Sequence, residues 1–269
     1  MRGGGLARAL AAAALLAVCA GGLTGCSNTK DLWARIWGSS TPGPGDGAIE
    51  ADADLALRAQ EELDASDYAE AAELFQQLKD QYPQSRYAVL AELRLGDAYF
   101  LNGKYIEAYG AYDAFSDRHP TNDAVPYALY QKGMCWFQRM NGIDRDQSPT
   151  IQAINDFAYL VEVYPDSRYS TMAHARIAES MNSLAGHEFY IGEYYFNRKD
   201  YAAAMRRFRG LIRAYPDSGY HPRAFNYIAR YEDMVASGEI QPDTNLRGAE
   251  YESPFTISDE TSGAAGVRF

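Results

Sequence analysis

Four prolines divide the middle of this chain into copies of one pattern. Counting back from Pro83, Pro120, Pro165 and Pro216, position −12 is Ala71, Ala108, Ala153 and Ala204. Position −8 is Phe75, Tyr112, Phe157 and Phe208. Position −5 is Leu78, Phe115, Leu160 and Leu211, and position −1 is Tyr82, His119, Tyr164 and Tyr215. Spacings of 4, 3 and 7 place small, aromatic and aliphatic side chains on one stripe of a helix. Downstream, position +8 is Ala91, Ala128, Ala173 and Ala224. Such a period implies stacked helical units, each burying the face its neighbour exposes.

Each unit reads as a helix ending near Tyr-Pro, a turn, and a second helix with alanine where the two approach closely. Proline disfavours helical geometry in the residue before it, so the first helix stops at about the tyrosine. Ser85, Ser167 and Ser218 follow the proline by two residues and are expected to cap the next helix by accepting a backbone N–H. The strings YPQSRY, YPDSRY and YPDSGY, starting at Tyr82, Tyr164 and Tyr215, are either a repeated ligand site or punctuation between helices. Capping accounts for their polar residues and favours punctuation. Pro83 to Pro120 is 37 residues, and this length, with the Ala, aromatic and Tyr-Pro spacing, is similar to the tetratricopeptide (TPR) motif. The expected fold is all-α, a TPR-like α-solenoid of about five helix pairs, the last incomplete. Its units span 48–82, 83–119, 120–164, 165–215 and 216–237, and helices of about Ile49–Asp64 and Tyr68–Tyr82 form the first pair.

Two intervals depart from 37. Pro120 to Pro165 is 45, and the surplus of eight falls in the polar stretch NGIDRDQS, which is expected to be a loop between helices. Pro165 to Pro216 is 51, a surplus of 14. Fourteen residues are almost four helical turns and lengthen a helix by about 21 Å while nearly keeping its face in phase. The spacing predicts one elongated helix from about Ser167 to Phe196, projecting beyond the stack.

The N-terminus carries an address. Arg2 and Arg8 precede an apolar run, Ala9 to Ala20, too short to span a bilayer. LTGC, Leu23 to Cys26, resembles the lipobox of bacterial lipoproteins, in which the cysteine is acylated. Residues 1–25 are therefore expected to be a lipoprotein signal peptide and Cys26 the lipidated residue, with the acyl chains as membrane anchor. The alternative is an ordinary signal peptide with a chance cysteine. Ser27 after the cysteine, in place of Asp, favours the outer membrane. Residues 26–47 form a lipidated N-terminus and flexible tether ending in GSSTPGPGDG. In it, Leu32, Trp33, Ile36 and Trp37 share a helical face that is either a membrane-interface contact or part of an unstructured linker. Residues 238–269 lack periodicity and are expected to be a disordered tail. Residues 1–25 hold two arginines and no acids, so the net charge of −11 becomes −13 without them. An acidic chain repels nucleic acid, and no nucleic-acid partner is expected.

Catalytic patterns are missing. HEFYI, His187 to Ile191, begins like a zinc-protease helix, but Ile191 stands where the second imidazole must be. The four histidines are dispersed, no nucleophile-elbow or phosphate-loop sequence occurs, and no metal ligand set is expected. Cys135, in GMCWF, reads as a small core residue. What remains is binding, not catalysis, with no cofactor beyond the covalent lipid on Cys26. All 21 tyrosines follow position 67. Most are expected to pack the repeat, while Tyr68, Tyr87, Tyr99, Tyr105 and Tyr109 are candidates to line a substrate groove.

The stretch Asp144 to Ser218 holds a loop before a repeat, an LVxxYPxSxY turn and a long helix ending EYYxxR. With the lipobox, this pattern resembles the BamD (ComL-type) lipoproteins of the β-barrel assembly machinery in Gram-negative bacteria, over roughly residues 15–237. The resemblance implies a non-enzymatic scaffold on the periplasmic face of the outer membrane. It implies as partners the periplasmic domain of the barrel-forming subunit BamA, other Bam lipoproteins and unfolded outer-membrane proteins. An arginine of the family that contacts BamA falls on Arg207. Within the same pattern, Arg198 and the loop residues Asp144, Arg145 and Asp146 are further candidate partner-binding positions. Arg207 flanks the packing stripe one residue before Phe208, and the plain alternative is a solvated charge beside Arg206 and Arg209. The substrate pocket of the family falls on the N-terminal repeats. Family members commonly close repeat five with a second helix, whereas here the chain turns into GEIQPDTNLRGAEY after Val235. The rival function for such a solenoid is a TPR lipoprotein that organises peptidoglycan or cell-division proteins.

Overall fold

The computed structural model describes residues 51–242. The expected signal peptide, Cys26, the tether with residues 32–37, and the tail from 243 onward lie outside the described residues. Nine helices follow one another among the described residues: α1 Ala51–Asp64, α2 Tyr68–Gln81, α3 Ala88–Leu101, α4 Tyr105–Arg118, α5 Val125–Phe137, α6 Ser148–Val163, α7 Arg168–Asn197, α8 Tyr201–Ala214 and α9 His221–Ala236. Each packs on the next, giving four helix pairs and the first helix of a fifth. This is the all-α, TPR-like stack that the spacing predicts.

The Tyr-Pro junctions share one geometry. Tyr82, His119, Tyr164 and Tyr215 leave their helices at φ between −127° and −130° and ψ between 52° and 66°. That backbone has left the α region, which a following proline disfavours. Each of their N–H groups still donates to the position −5 carbonyl, at 2.9–3.0 Å. Two residues past the proline, the N–H of Ser85, Asn122, Ser167 or Ser218 donates back to the cap carbonyl, closing a turn at 2.9–3.1 Å. The expected capping by serine holds once. Ser167 is the N-cap of α7, and its side chain accepts from the Tyr169 N–H. Ser85 accepts from Tyr87 N–H but donates to Asp52 of α1, and α3 starts only at Ala88. Ser218 also lies three residues before its helix, whose start carries Pro222 in the first turn. Aspartates serve elsewhere: Asp67 and Asp200 cap α2 and α8 through the N–H of Glu70 and Ala203.

Within the second, third and fourth pairs, the helices touch through a glycine. A Cβ on Gly96 would lie 2.7 Å from the Tyr112 ring, on Gly133 2.6 Å from Phe157, and on Gly192 2.6 Å from Phe208. The position −8 aromatic therefore packs flat on backbone, where any side chain would collide. Cys135 is 1% exposed, and burial pushes its thiol up to about 12, as suits a core residue. One polar knot interrupts the apolar core. Asp97 of α3 accepts from Tyr112 and Tyr127 hydroxyls at 2.8 and 2.6 Å and from Arg94 at 2.8 Å. Burial, and then the Asp97 charge, raise both phenols well above their ordinary value, so each stays a donor.

The elongated α7 runs within one residue of the predicted span, but its added turns do not project as bare helix. Leu184, Ala185, Glu188, Phe189, Gly192 and Phe196 are buried. α7 packs on α6, α5 and α8, with Gly192 of its second half against Phe208 of α8. The surplus of eight residues, the connection between α5 and α6, lies against the middle of α7. Ser180 pairs with Met140 at 3.6 Å, and the Ile143 carbonyl sits 2.6 Å from His187 Nδ1. The two departures from the 37-residue period cover one another.

Candidate partner-binding site

The turn Gly186–His187–Glu188 of α7 is where two of the expected contact regions meet. On one side it holds the α5–α6 connection. Gly186 leaves room for the Ile143 side chain and the Tyr220 ring, each within 3 Å of where a Cβ would stand. His187 holds the Ile143 carbonyl, an arrangement that assigns the ring proton to Nδ1. On the other side it holds Arg207 of α8. Arg207 Nη1 donates to Glu188 Oε2 at 2.9 Å and Oε1 at 3.2 Å. Glu188 is fully buried, whereas the Arg207 side chain is 29% exposed.

The connection is organised by Gln147, which is 2% exposed. Its Nε2 donates to the Gly142 and Arg145 carbonyls at 2.9 and 3.0 Å, and its Oε1 accepts from Thr150 at 3.0 Å. Asn141 donates to the Asp146 carbonyl at 3.0 Å. With its backbone tied inward, the loop turns Asp144, Arg145 and Asp146 to solvent. Asp146 accepts from the Ser148 hydroxyl and N–H, which hold its carboxyl below the usual range. We expect Gln147→Ala to leave two carbonyls and the Thr150 hydroxyl without this partner and to cost about 1–3 kcal/mol. Denaturant unfolding measures that cost, and limited proteolysis should begin cutting within 138–147.

Arg198 lies further along. It caps α7, ten residues and about 15 Å beyond Glu188. It donates to the Tyr194 hydroxyl at 2.7 Å and stays exposed. Arg207 and the loop that carries residues 144–146 are thus each held by the same turn of α7, whereas Arg198 lies apart.

The tyrosines proposed to line a groove separate into different roles. Tyr87 is 7% exposed, with the Arg86 guanidinium 4.7 Å over its ring and bonded to its hydroxyl. Tyr87 thus belongs to the core, which corrects its reading as a lining residue. Tyr105 packs edge-on to Phe100, and Tyr109 packs against Trp136 beneath the Lys132 ammonium. Tyr68 opens α2 and Tyr99 lies on α3, both half-buried.

Glu188, Gln147 and His187 are the supports that sequence reasoning missed. For Glu188 a signal existed: it falls in the stripe of Leu184, Ala185, Phe189 and Gly192, an acid at a packing position. Gln147 offers no such sign, because its role depends on how the loop folds back.

The family described as outer membrane lipoprotein (YfiO) matches residues 50–243. The outer membrane protein assembly factor BamD of Caulobacter vibrioides is 31% identical over 190 residues, covering 70% of this chain and 62% of that protein. Its namesake from Neisseria meningitidis serogroup B is 32% identical over 176 residues, covering 62% and 66% respectively. That of Pasteurella multocida is 28% identical over 249 residues, covering 89% and 86%. The chain thus spans less than two thirds of the length of the first two relatives.

Proposed function

The chain belongs to the YfiO family of outer membrane lipoproteins, and from that premise we propose that it is a non-enzymatic scaffold and recognition subunit in outer-membrane β-barrel assembly. The relatives that support this reading are named as outer membrane protein assembly factors. The partner is the periplasmic domain of the barrel-forming subunit, and unfolded outer-membrane proteins are the cargo. The observation that carries the contact is Arg207 held by buried Glu188, on the same turn of α7 that holds the α5–α6 connection. Glu188 holds Nη1 of the guanidinium at a fixed place while 29% of the Arg207 side chain remains exposed. Such a pre-positioned arginine loses little side-chain entropy when a partner docks. Affinity capture of the full-length protein from detergent-solubilised outer membrane tests this reading. Co-purification of the barrel-forming subunit is expected, and recovery of cell-wall proteins alone would sink it.

Attachment is by acyl chains on Cys26, at the periplasmic face of the outer membrane. Among the described residues no helix is long and apolar enough to cross a membrane. Cys26→Ser is expected to shift most of the protein from the membrane to the soluble fraction on cell fractionation. Full retention of that variant would refute the lipid anchor.

A further inference from the structure

α9 ends as the first helix of a pair ends. In the first, second and fourth pairs one residue of positive φ, Ser66, Gly103 or Lys199, follows the first helix. The next N–H, of Asp67, Lys104 or Asp200, donates to the carbonyl five residues back at 2.9–3.0 Å, and the second helix starts one residue later. After α9, Gly238 has φ +77° and the Glu239 N–H donates to the Met234 carbonyl at 3.0 Å. Ile240 thus stands where Tyr68, Tyr105 and Tyr201 open their helices. The last described residues therefore turn the chain back along α9.

The face it turns toward is uncovered. Pro216 lies 96 residues after Pro120, so positions of the third pair have counterparts in the fifth. In the third pair, Phe157 of α6 lies on Gly133 of α5. Asp156 and Tyr159 of α6 stand against Asp113 and Asp117 of α4 and Leu129 and Lys132 of α5. The counterpart of Gly133 is Ala229; those of Asp113 and Asp117 are Arg209 and Arg213; those of Leu129 and Lys132 are Phe225 and Ile228. Phe225 is 54% exposed, and Ala229, Arg209 and Arg213 are exposed with it. Neither arginine has an ion pair among the described residues. The open seam of α8 and α9 thus calls for apolar side chains accompanied by carboxylates, the reverse of the charge that α6 meets.

We propose that residues 250–257 of this same chain, EYESPFTI, dock on that seam and complete the fifth pair. In an extended segment alternate side chains point to opposite sides. Tyr251, Phe255 and Ile257 then share one side, and Glu250 and Glu252 the other. Pro254 keeps Ser253 out of the helical region, so the segment covers α9 as a strap and not as a helix. The apolar side lies on Phe225, Ile228 and Ala229, and the carboxylates lie beside Arg209 and Arg213. Charge favours the match, since residues 243–260 hold five acids and one arginine. Reach allows it. The eight residues from Pro242 to Glu250 extend up to about 26–29 Å, whereas Phe225 lies only about 17 Å back along α9 from Ala236. A short tether also holds the segment at an effective concentration in the millimolar range, ahead of a free partner.

Hydrogen exchange of the full-length protein tests the proposal. The amides of 225–235 are expected to exchange at least tenfold faster in Tyr251→Ser with Phe255→Ser than in the native chain. Phe269→Ser removes an aromatic ring from the same tail outside the segment and should leave exchange unchanged. Arg209→Glu with Arg213→Glu should speed exchange, and adding Glu250→Arg with Glu252→Arg should restore protection. The synthetic peptide acetyl-EYESPFTI-amide is expected to bind the Tyr251/Phe255 double variant and not the native chain. Equal exchange in the native chain and that double variant would overturn the proposal and leave the seam open to a separate partner. An equal effect of Phe269→Ser would overturn it too. So would a native dimer in sedimentation that Phe225→Asp dissociates, since a second copy would then be the occupant.

Discussion

Arg207→Glu is expected to lose capture of the barrel-forming subunit and to destabilise repeats four and five at the same time. The substitution sets a carboxylate against Glu188, which has no exposed surface. Breaking a buried pair by removing one partner costs about 3–5 kcal/mol. The lower end applies here, because the Arg207 side chain is 29% exposed. For a domain of this length about 3 kcal/mol corresponds to a fall of about 6–12 °C in Tm. Loss of capture could then reflect unfolding alone, so a second variant separates the two effects. Arg207→Gln with Glu188→Gln replaces the ion pair by a neutral amide pair and is expected to keep Tm within about 4 °C, a shift of about 1 kcal/mol. If that double variant still captures the barrel-forming subunit as well as the native chain, Arg207 is a structural residue and the proposed contact is wrong.

Gly192→Val is expected to destabilise the fold by a different route, through the packing of α7 on α8 rather than through charge. Its Cβ alone would stand 2.6 Å from the Phe208 Cε1, and Phe208 is fully buried among Phe189 and Tyr227. The ring has no free space to enter, so α7 and α8 must separate, at about 3 kcal/mol for valine. Gly192→Ala makes the sharper comparison, because its sign opposes helix propensity. Gly110 lies on α4 with nothing within 4 Å of an added Cβ. Alanine there should stabilise by about 0.5–1 kcal/mol, the ordinary gain of Gly→Ala in a helix. Thermal unfolding should therefore move in opposite directions for the two alanine variants. A rise in Tm for Gly192→Ala would show that the pair packs less tightly than its geometry indicates.

These glycines also show where sequence reading stops. The position −8 aromatics stood out because helical periodicity repeats them at a constant distance from a proline. The glycines beneath them lie 16 residues earlier in repeats two and four, but 24 earlier in repeat three, where the connection intervenes. Alignment on proline therefore scatters them. The long helix was legible to within a residue because a surplus of 14 preserves helical phase. Its burial was not, since the loop that covers it was counted as a separate irregularity. The same holds at the site. Arg207 could be named from a resemblance, whereas Glu188 and Gln147 act through contacts 19 residues and a loop away. Tyr87 failed as a groove residue because its neighbour Arg86 covers it, and composition cannot see which way an adjacent side chain folds.

The seating of the α5–α6 connection on α7 bears on how this chain comes apart. An array whose units touch only their neighbours frays inward from its ends, one unit at a time, because each step breaks a single interface. Here Met140 and Ile143 tie the edge of the third unit to Ser180 and His187 in the fourth, beyond what the two helices contribute alone. Opening either unit breaks that tie as well as the ordinary interface. The third and fourth units thus form one cooperative block at the centre, while α1 and α9 are free to loosen first. Arg207 and residues 144–146 are both built on that block and keep their places when the ends do not.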